Sequence, residues 1–166
     1  MKLGLFIPTY NVESRVGSVL ADLARGPVDR FSKIYVIDNG SGDRSREVVA
    51  QTLRDFPTLG QRTELWQNRR NYLLGGSTLL AIEKALGDGL DYLLNLHSDG
   101  QAKVADLEGM INRCRVQGPL VLGSRLLRDS KNEEYERVRL WGNLAFSRWQ
   151  RWITNSSARD LGALMA

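Results

Sequence analysis

The feature that most constrains the fold is a repeated alternation of short apolar runs with amphipathic segments of helical spacing. Each of the first four runs is followed by a polar cluster and then by such a segment, and a fifth run closes the series. The runs lie at residues 2–7, 33–37, 62–66, 90–96 and 119–122. This order predicts an α/β fold with a mostly parallel sheet, right-handed crossovers and helices on both faces.

Helical spacing and breaker residues define the elements between the runs. Apolar residues recur at helical intervals in four segments, 12–23, 48–56, 79–86 and 104–116. Pro8 is expected to end the first strand, because proline has no N–H to donate to a sheet. Residues 68–76 are polar and contain Gly75 and Gly76, so this stretch is predicted to be a loop.

The polar clusters predict one site. They follow the apolar runs at residues 8–11, 38–43, 68–76, 97–101 and 123–125. Because the carboxyl ends of parallel strands meet at one edge of a sheet, and ligands bind beyond that edge, we expect these clusters to converge on a ligand.

Composition limits the class of protein. The 166 residues, 42% apolar and 25% charged, suit a single folded domain. A net charge of +4 is too small to argue for nucleic acid, and we expect none as a partner. Cys114 is the only cysteine, which excludes an internal disulfide. With no leader-like or membrane-spanning apolar run, the expected location is the cytoplasm.

The cluster 97–101 follows the most apolar run and carries metal-binding chemistry. Asp99 and Gln101 supply two oxygen ligands on one side of a turn, which suits Mg²⁺ or Mn²⁺ bound together with substrate phosphates. His97 adds a nitrogen ligand or a hydrogen bond to the substrate. The alternative is that Asp99 and Gly100 simply form a turn, since Asp-Gly is a common turn pair.

Two further features fit a nucleotide. Asp38, at the end of the second run, can accept a hydrogen bond from a base or a ribose. The alternative is that it caps the N-terminus of the following helix. Gly75 and Gly76 would let main-chain N–H groups approach a diphosphate, or would act as a hinge. The sequence lacks G-x-G-x-x-G after the first run, a P-loop and a G-x-S-x-G elbow, which disfavours dinucleotide oxidoreductases, P-loop NTPases and hydrolases.

Residues 137–152 differ from the rest of the chain. Trp141, Trp149 and Trp152 share one helical face, edged by arginines at 137, 139, 148 and 151. Such a face suits the headgroup region at the inner face of a membrane, with tryptophan at the interface and arginine on lipid phosphate. The alternative is a helix that packs its tryptophans on the sheet.

Five motifs come in the order and spacing typical of one family. They are IPTYN at 7–11, VIDNGSGD at 36–43, the loop 71–76 before a helix, LHSDGQ at 96–101 and GSR at 123–125. Together they resemble the family 2 glycosyltransferases of the GT-A fold. Within that family, the ending D-G-Q is most similar to dolichol-phosphate mannose synthase and bacterial polyprenyl-phosphate glycosyltransferases.

The resemblance implies a role for each matching residue. Pro8, Tyr10 and Glu13 would line the nucleobase pocket, Asp38 would contact the base or ribose, and Arg125 would bind phosphate. Asp99 and Gln101 would hold the metal, and His97 stands where the family usually has a carboxylate. Arg139 and Asn143 would approach the acceptor, and Asp160 would be the base for a hydroxyl acceptor.

The implied function is an inverting, metal-dependent transfer from a UDP- or GDP-sugar to polyprenyl phosphate or a growing glycan, in cell-envelope polysaccharide synthesis. Residues 1–125 would form the donor-binding part of a single GT-A domain, and 126–166 the start of the acceptor side. The chain ends soon after Asp160, so a truncated acceptor side is expected. The rival expectation is a non-catalytic nucleotide-sugar-binding domain, degenerate at His97.

Overall fold

The computed structural model describes residues 1–100, 102–114, 141–142, 145–146, 148–149 and 152–153. The chain divides into two compact units, Met1–Pro119 and Leu120–Ala166. The strands of the first unit are β1 (Leu3–Thr9), β2 (Lys33–Asp38), β3 (Thr63–Gln67) and β4 (Tyr92–Asn95). Its helices are α1 (Val16–Arg25), α2 (Ser45–Asp55), α3 (Pro57–Arg62), α4 (Leu73–Gly87) and α5 (Asp106–Cys114), with a 3-10 turn at Val28–Arg30.

The described part of the chain forms a four-stranded sheet in the order β3-β2-β1-β4. All three pairings are parallel, and β1 pairs with both β2 and β4. The predicted α/β class and parallel sheet are therefore confirmed. The predicted fifth strand, 119–122, lies outside the described residues.

Both faces of the sheet are covered. Phe6, Tyr35 and Ile37 form a buried cluster with Ala81 and Ala85 of α4. Their sequence neighbours on β1 and β2 alternate to the opposite face and are also fully buried. These are Leu5, Ile7, Ile34 and Val36. Right-handed crossovers explain the two layers, because the chain moves outward from β1 to β3 through α1–α3 and returns past β1 through α4.

The prediction that Pro8 ends the first strand is wrong, because β1 continues through Pro8 to Thr9. The carbonyl of Pro8 faces the β4 side of β1, where it accepts the Ser98 hydroxyl at 2.6 Å. Since β4 has already ended at Asn95, no strand there requires an N–H from residue 8.

The predicted loop 68–76 is also partly wrong. Helix α4 begins at Leu73, so Gly75 and Gly76 lie in its first turns and do not form a glycine hinge before it. The N–H of Leu73 is bound at 2.7 Å by the Asn71 side chain, which starts the helix earlier than apolar spacing indicates. The short helix α3, with Pro57 at its first turn, was not predicted.

In the second unit, the described positions between 141 and 153 are helical. Their aromatic side chains are exposed, including Trp141 at 74%, Trp149 at 56% and Trp152 at 82%. The ring centroids of Phe146 and Trp149 lie 5.9 Å apart. Across the described residues, no helix combines the length and apolar character needed to span a bilayer.

Candidate functional site

The ends of neighbouring strands are fixed against one another by main-chain hydrogen bonds. The N–H of Asn39 donates to the carbonyl of Thr9 at 2.8 Å, and the N–H of Asn68 donates to the carbonyl of Asp38 at 2.8 Å. These bonds continue the parallel ladder past the strands. The polar residues that follow β1, β2 and β3 therefore start from adjacent, rigid positions.

Asp38 ends β2 and is buried, with 1% of the residue's surface exposed. Its Oδ1 accepts the N–H of Ser41 at 3.2 Å and also the Ser41 hydroxyl. Its Oδ2 is buried and has no hydrogen-bond donor among the described residues. A buried carboxylate oxygen is costly to leave unpaired, and Asp38, like Glu13, is not among the residues that line the cleft at the strand ends.

Two loops beside Asp38, 11–13 and 41–45, hold each other in what we call the loop clasp. Main-chain N–H groups of each loop donate to side chains of the other. The bonds are Asn11 N to Ser41 Oγ (3.1 Å), Val12 N to Ser45 Oγ (2.8 Å), Glu13 N to Asp43 Oδ2 (3.1 Å), Gly42 N to Asn11 Oδ1 (2.9 Å) and Arg44 N to Glu13 Oε2 (2.9 Å). The clasp also fixes Asn11 at a φ of 51°, a left-handed conformation that asparagine tolerates.

Glu13 belongs to the loop clasp. Its carboxylate accepts the N–H of Arg44, just before α2, and it is not among the residues that line the cleft at the strand ends. The neighbouring Asp43 accepts the N–H of Ser45 at 3.0 Å. These bonds lower the pKa of Asp43 and outweigh the opposite effect of its desolvation.

The loop after β4 is held at its main chain. The guanidinium of Arg15 donates to the carbonyl of Asp99 at 3.0 Å, and the Ser98 hydroxyl donates to the carbonyl of Pro8. Gly100 has a φ of 76°, so Asp99 and Gly100 do form a turn. Neither of these two hydrogen bonds uses the Asp99 carboxylate, and Asp99 also lines the cleft described below.

His97 is half-buried, with its Nε2 3.5 Å from the amide nitrogen of Asn95. Burial lowers the pKa of His97, and the negative charge of Asp99 opposes this effect only in part. The imidazole is therefore neutral at pH 7, the form that can accept a hydrogen bond or bind a metal.

A cleft of about 420 Å³ opens at this edge of the sheet. Four of the predicted site residues line it together, Pro8, Tyr10, His97 and Asp99. The other lining residues are Thr9, Val12, Asn39, Asn71, Leu73, Leu74, Ser77 and Ser98. The predicted convergence of the strand-end clusters is thus found for the loops after β1, β2, β3 and β4.

Asn39 organises one wall of the cleft, a role that the sequence did not reveal. Its Nδ2 donates to Asn71 Oδ1 at 2.7 Å and to the carbonyl of Leu73 at 3.1 Å. Its Oδ1 accepts Asn68 Nδ2 at 2.8 Å and the N–H of Tyr72 at 3.0 Å. Three of these bonds go to the loop between β3 and α4 and one to Leu73, the first residue of α4, so Asn39 fixes the loop and the start of the helix against the end of β2.

Residues 5–164 match the family described as Glycosyl transferase family 2. The chain belongs to glycosyl transferase family 2. A search of curated proteins found no match. Among solved structures, it resembles the mannosyltransferase PcManGT from Pyrobaculum calidifontis in complex with GDP-Man and Mn²⁺, at a TM-score of 0.60 and 18% identity. The match covers 73% of this chain and 34% of that protein, so the chain spans about a third of the neighbour's length. The predicted GT-A fold is confirmed.

The metal-ligating side chains of this family 2 chain are few, which fits a metal ion that is bound partly by the phosphates of a substrate. Among the residues that the structure describes, no group of three or more His, Cys, Asp or Glu is placed to bind a metal ion. Asp99 and His97 line the cleft, and Gln101 lies outside the described residues. One carboxylate and one imidazole leave most coordination positions to phosphate oxygens and water, a common arrangement for Mg²⁺.

Several residues assigned from the family resemblance cannot be placed. Gln101, Arg125, Arg139, Asn143 and Asp160 lie outside the described residues. The described part of the site therefore contains only residues that the resemblance assigns to the nucleotide and the metal.

Proposed function

We propose that this chain is a metal-dependent, inverting glycosyltransferase domain that uses a nucleotide-diphospho-sugar as its donor. The observation that carries the proposal is the cleft at the carboxyl edge of the sheet. It gathers Asp99 and His97 with the aromatic ring of Tyr10, in a chain of glycosyl transferase family 2. Residues 1–125 would hold the donor, and 126–166 would begin the acceptor side.

The residues of the cleft, together with the buried Asp38 and with Gln101 and Arg125, would divide the donor between them. Tyr10, 47% exposed beside Pro8, offers a flat apolar surface for the base, and Asp38 offers an unpaired acceptor to its polar edge. Asp99, with His97 and Gln101, would hold Mg²⁺ or Mn²⁺, and Arg125 would pair with phosphate. The metal supplies positive charge that stabilises the departing nucleoside diphosphate.

The acceptor would displace the nucleoside diphosphate in line. The bond from the anomeric carbon to the diphosphate oxygen breaks as the acceptor oxygen forms its own bond from the opposite side, which inverts the carbon. A lipid phosphate is already an anionic nucleophile, and Arg139 and Asn143 would bind it, as in the polyprenyl-phosphate branch. A sugar hydroxyl must lose a proton, for which Asp160 is the proposed base.

The second candidate function is nucleotide-sugar binding without catalysis. His97 favours it, because an imidazole stands where the family usually has a carboxylate, which leaves the metal with less negative charge around it.

Calorimetry and a turnover assay on the same protein separate the two functions. We expect UDP or GDP to bind in a manner that depends on Mn²⁺. We also expect the matching nucleotide-sugar to release nucleoside diphosphate when an extract that contains candidate acceptors is added. Metal-dependent binding with no release under any acceptor condition would favour the non-catalytic function. Absence of nucleotide binding with both Mg²⁺ and Mn²⁺ would refute both.

We also propose that the segment 137–152 contacts an anionic membrane surface. The exposed indoles of Trp141, Trp149 and Trp152 are suited to the headgroup level, and Arg148 is an exposed helical residue of the same segment. Between residues 125 and 151 the sequence has seven basic and four acidic residues, which favours lipids of negative charge.

Vesicle sedimentation tests the membrane contact. The protein is expected to sediment with vesicles that contain phosphatidylserine and much less with vesicles of phosphatidylcholine alone. Replacing both Trp149 and Trp152 by serine should weaken this binding by about tenfold or more, because two large apolar side chains no longer enter the interface.

Leu86→Ser is the matched control, since Leu86 is 73% exposed on α4 in the first unit. Vesicle binding equal to wild type in the double tryptophan variant would contradict the proposal. The proposal would also be contradicted if the wild-type protein formed a dimer on gel filtration and the double tryptophan variant did not.

A further inference from the structure

The outer face of α4 carries apolar side chains at a regular helical spacing. Leu79, Ile82 and Leu86 are 60%, 43% and 73% exposed, and Gly75 lies four residues before Leu79. Steps of four, three and four residues place these positions on one stripe of the helix, away from its buried face. We call these four residues the α4 stripe. Its spacing is that of a helix that packs lengthwise against another helix.

Gly75 is not explained by contacts within the described residues. A Cβ added at Gly75 would meet none of their atoms within 4 Å, whereas a Cβ added at Gly76 would lie 2.5 Å from the Cβ of Tyr72. The small size of Gly76 is therefore required by Tyr72. Gly75 has no such neighbour, and glycine is a poor helix former. Its position on the outer stripe leaves room for a side chain that approaches from another helix.

The α4 stripe is complementary to itself when two copies of the helix pack antiparallel around a twofold axis. Leu79 of one copy then faces Ile82 of the other, and Leu86 faces Gly75. Each Leu86 fills the space that a glycine leaves open, and the symmetry makes this contact twice. A parallel pair in the same register would place Gly75 opposite Gly75 and leave a gap. We propose that the α4 stripe binds the α4 stripe of a second copy of this chain, with the two helices antiparallel.

Charges at the two ends of α4 favour the same arrangement. Arg69 and Arg70 are exposed just before the helix, and Asp88 is exposed just after it. In an antiparallel pair, the two arginines of each copy lie at the end where the other copy has Asp88 and the negative end of its helix dipole. In a parallel pair, arginine would face arginine.

The contact is small, so the dimer is expected to be weak. A single pair of helices buries less than about 1,200 Å², which is the lower end of the range for specific interfaces. We expect a dissociation constant on the order of 10⁻⁵ to 10⁻⁴ M, so that monomers prevail at low micromolar concentration. The inference goes beyond the proposed function and does not depend on it, because no residue of the α4 stripe lines the cleft.

Sedimentation velocity at protein concentrations below and above this constant tests the dimer. Wild-type protein is expected to show a monomer–dimer equilibrium. Leu79→Asp should weaken the dimer by about tenfold or more, because it places a charge in an apolar contact. Gly75→Leu should weaken it by a similar factor, because the Leu86 side chain of the other copy loses its space. Non-specific association of apolar surfaces would instead become stronger in Gly75→Leu.

Each variant has a matched control in another helix. Gly109→Leu lies at an exposed position of α5 where an added Cβ also meets none of the described residues within 4 Å. Thr58→Asp adds the same charge as Leu79→Asp at an exposed position of α3. Both controls should leave the dissociation constant of the dimer unchanged. Circular dichroism of all four variants checks that the helices remain folded.

Three results would overturn the inference. The first is a wild-type protein that stays monomeric at the highest concentration. The second is a dimer that Gly75→Leu strengthens or leaves unchanged. The third is a dimer that is lost when Trp149 and Trp152 are replaced by serine and is kept in Leu79→Asp. All three leave the proposed function in place, since nucleotide binding is measured separately on the same proteins.

Discussion

Replacing Asp99 by asparagine is expected to lower the release of nucleoside diphosphate by about 100-fold or more, the usual cost of losing a charge aimed at a developing charge in a transition state. The change keeps the size of the side chain and removes its negative charge. Calorimetry should show that Mn²⁺ no longer strengthens nucleotide binding. The two measurements together assign the effect to the metal side of the cleft.

Two hydrogen bonds that hold the loop do not use the Asp99 carboxylate. Arg15 binds the carbonyl of Asp99, and Ser98 binds the carbonyl of Pro8, so both remain in the variant. Asp22→Asn is the matched control, since Asp22 is an exposed carboxylate on α1 with a 3.9 Å ion pair to Arg25. Wild-type turnover and metal dependence in Asp99→Asn would refute the role of Asp99.

The sheet could be predicted because each of its strands is recognisable from its own short stretch of sequence. The runs that became β1, β2, β3 and β4 are short and apolar and are separated by segments of helical spacing, so their parallel pairing follows from connection rules. The cleft follows from the same rules, since the ends of parallel strands must share an edge. Tyr10 and Asp99 could therefore be assigned to one site from their positions after the apolar runs alone.

The features that were missed depend on partners distant in sequence. Asn39 resembles one more turn residue after β2, yet its four bonds go to residues 29 to 34 positions later. Glu13 likewise binds Arg44, 31 residues away. Nothing in local spacing distinguishes a side chain that reaches a ligand from one that reaches a neighbouring loop.

The earlier start of α4 has the same origin. Asn71 binds the N–H of Leu73 and is itself held by Asn39, so a contact across the sheet edge starts a helix where the local sequence, with two glycines, favours a loop. The wrong prediction of a loop at Gly75 and Gly76 therefore has its cause in the contacts of Asn39.

Asn39→Ala is expected to destabilise the protein by about 4 kcal/mol, the sum of four hydrogen bonds of about 1 kcal/mol each. Asn39 is 5% exposed, so water cannot readily replace the lost bonds. One of those bonds fixes Leu73, which has a φ of 60°, a conformation that leucine adopts only when its surroundings impose it. Urea unfolding followed by circular dichroism measures the loss, and the affinity for UDP should fall as well because the β3–α4 loop lines the cleft.

Two further variants show whether hydrogen bonding is the cause. Asn39→Asp keeps the shape and replaces the donor Nδ2 by an oxygen that faces the Asn71 and Leu73 oxygens, so it should destabilise at least as much as alanine. Asn112→Ala, at an exposed position of α5, should change the unfolding free energy by less than about 0.5 kcal/mol. If Asn39→Asp were as stable as the wild-type protein, the donor bonds to Asn71 and Leu73 could not be what holds this wall of the cleft.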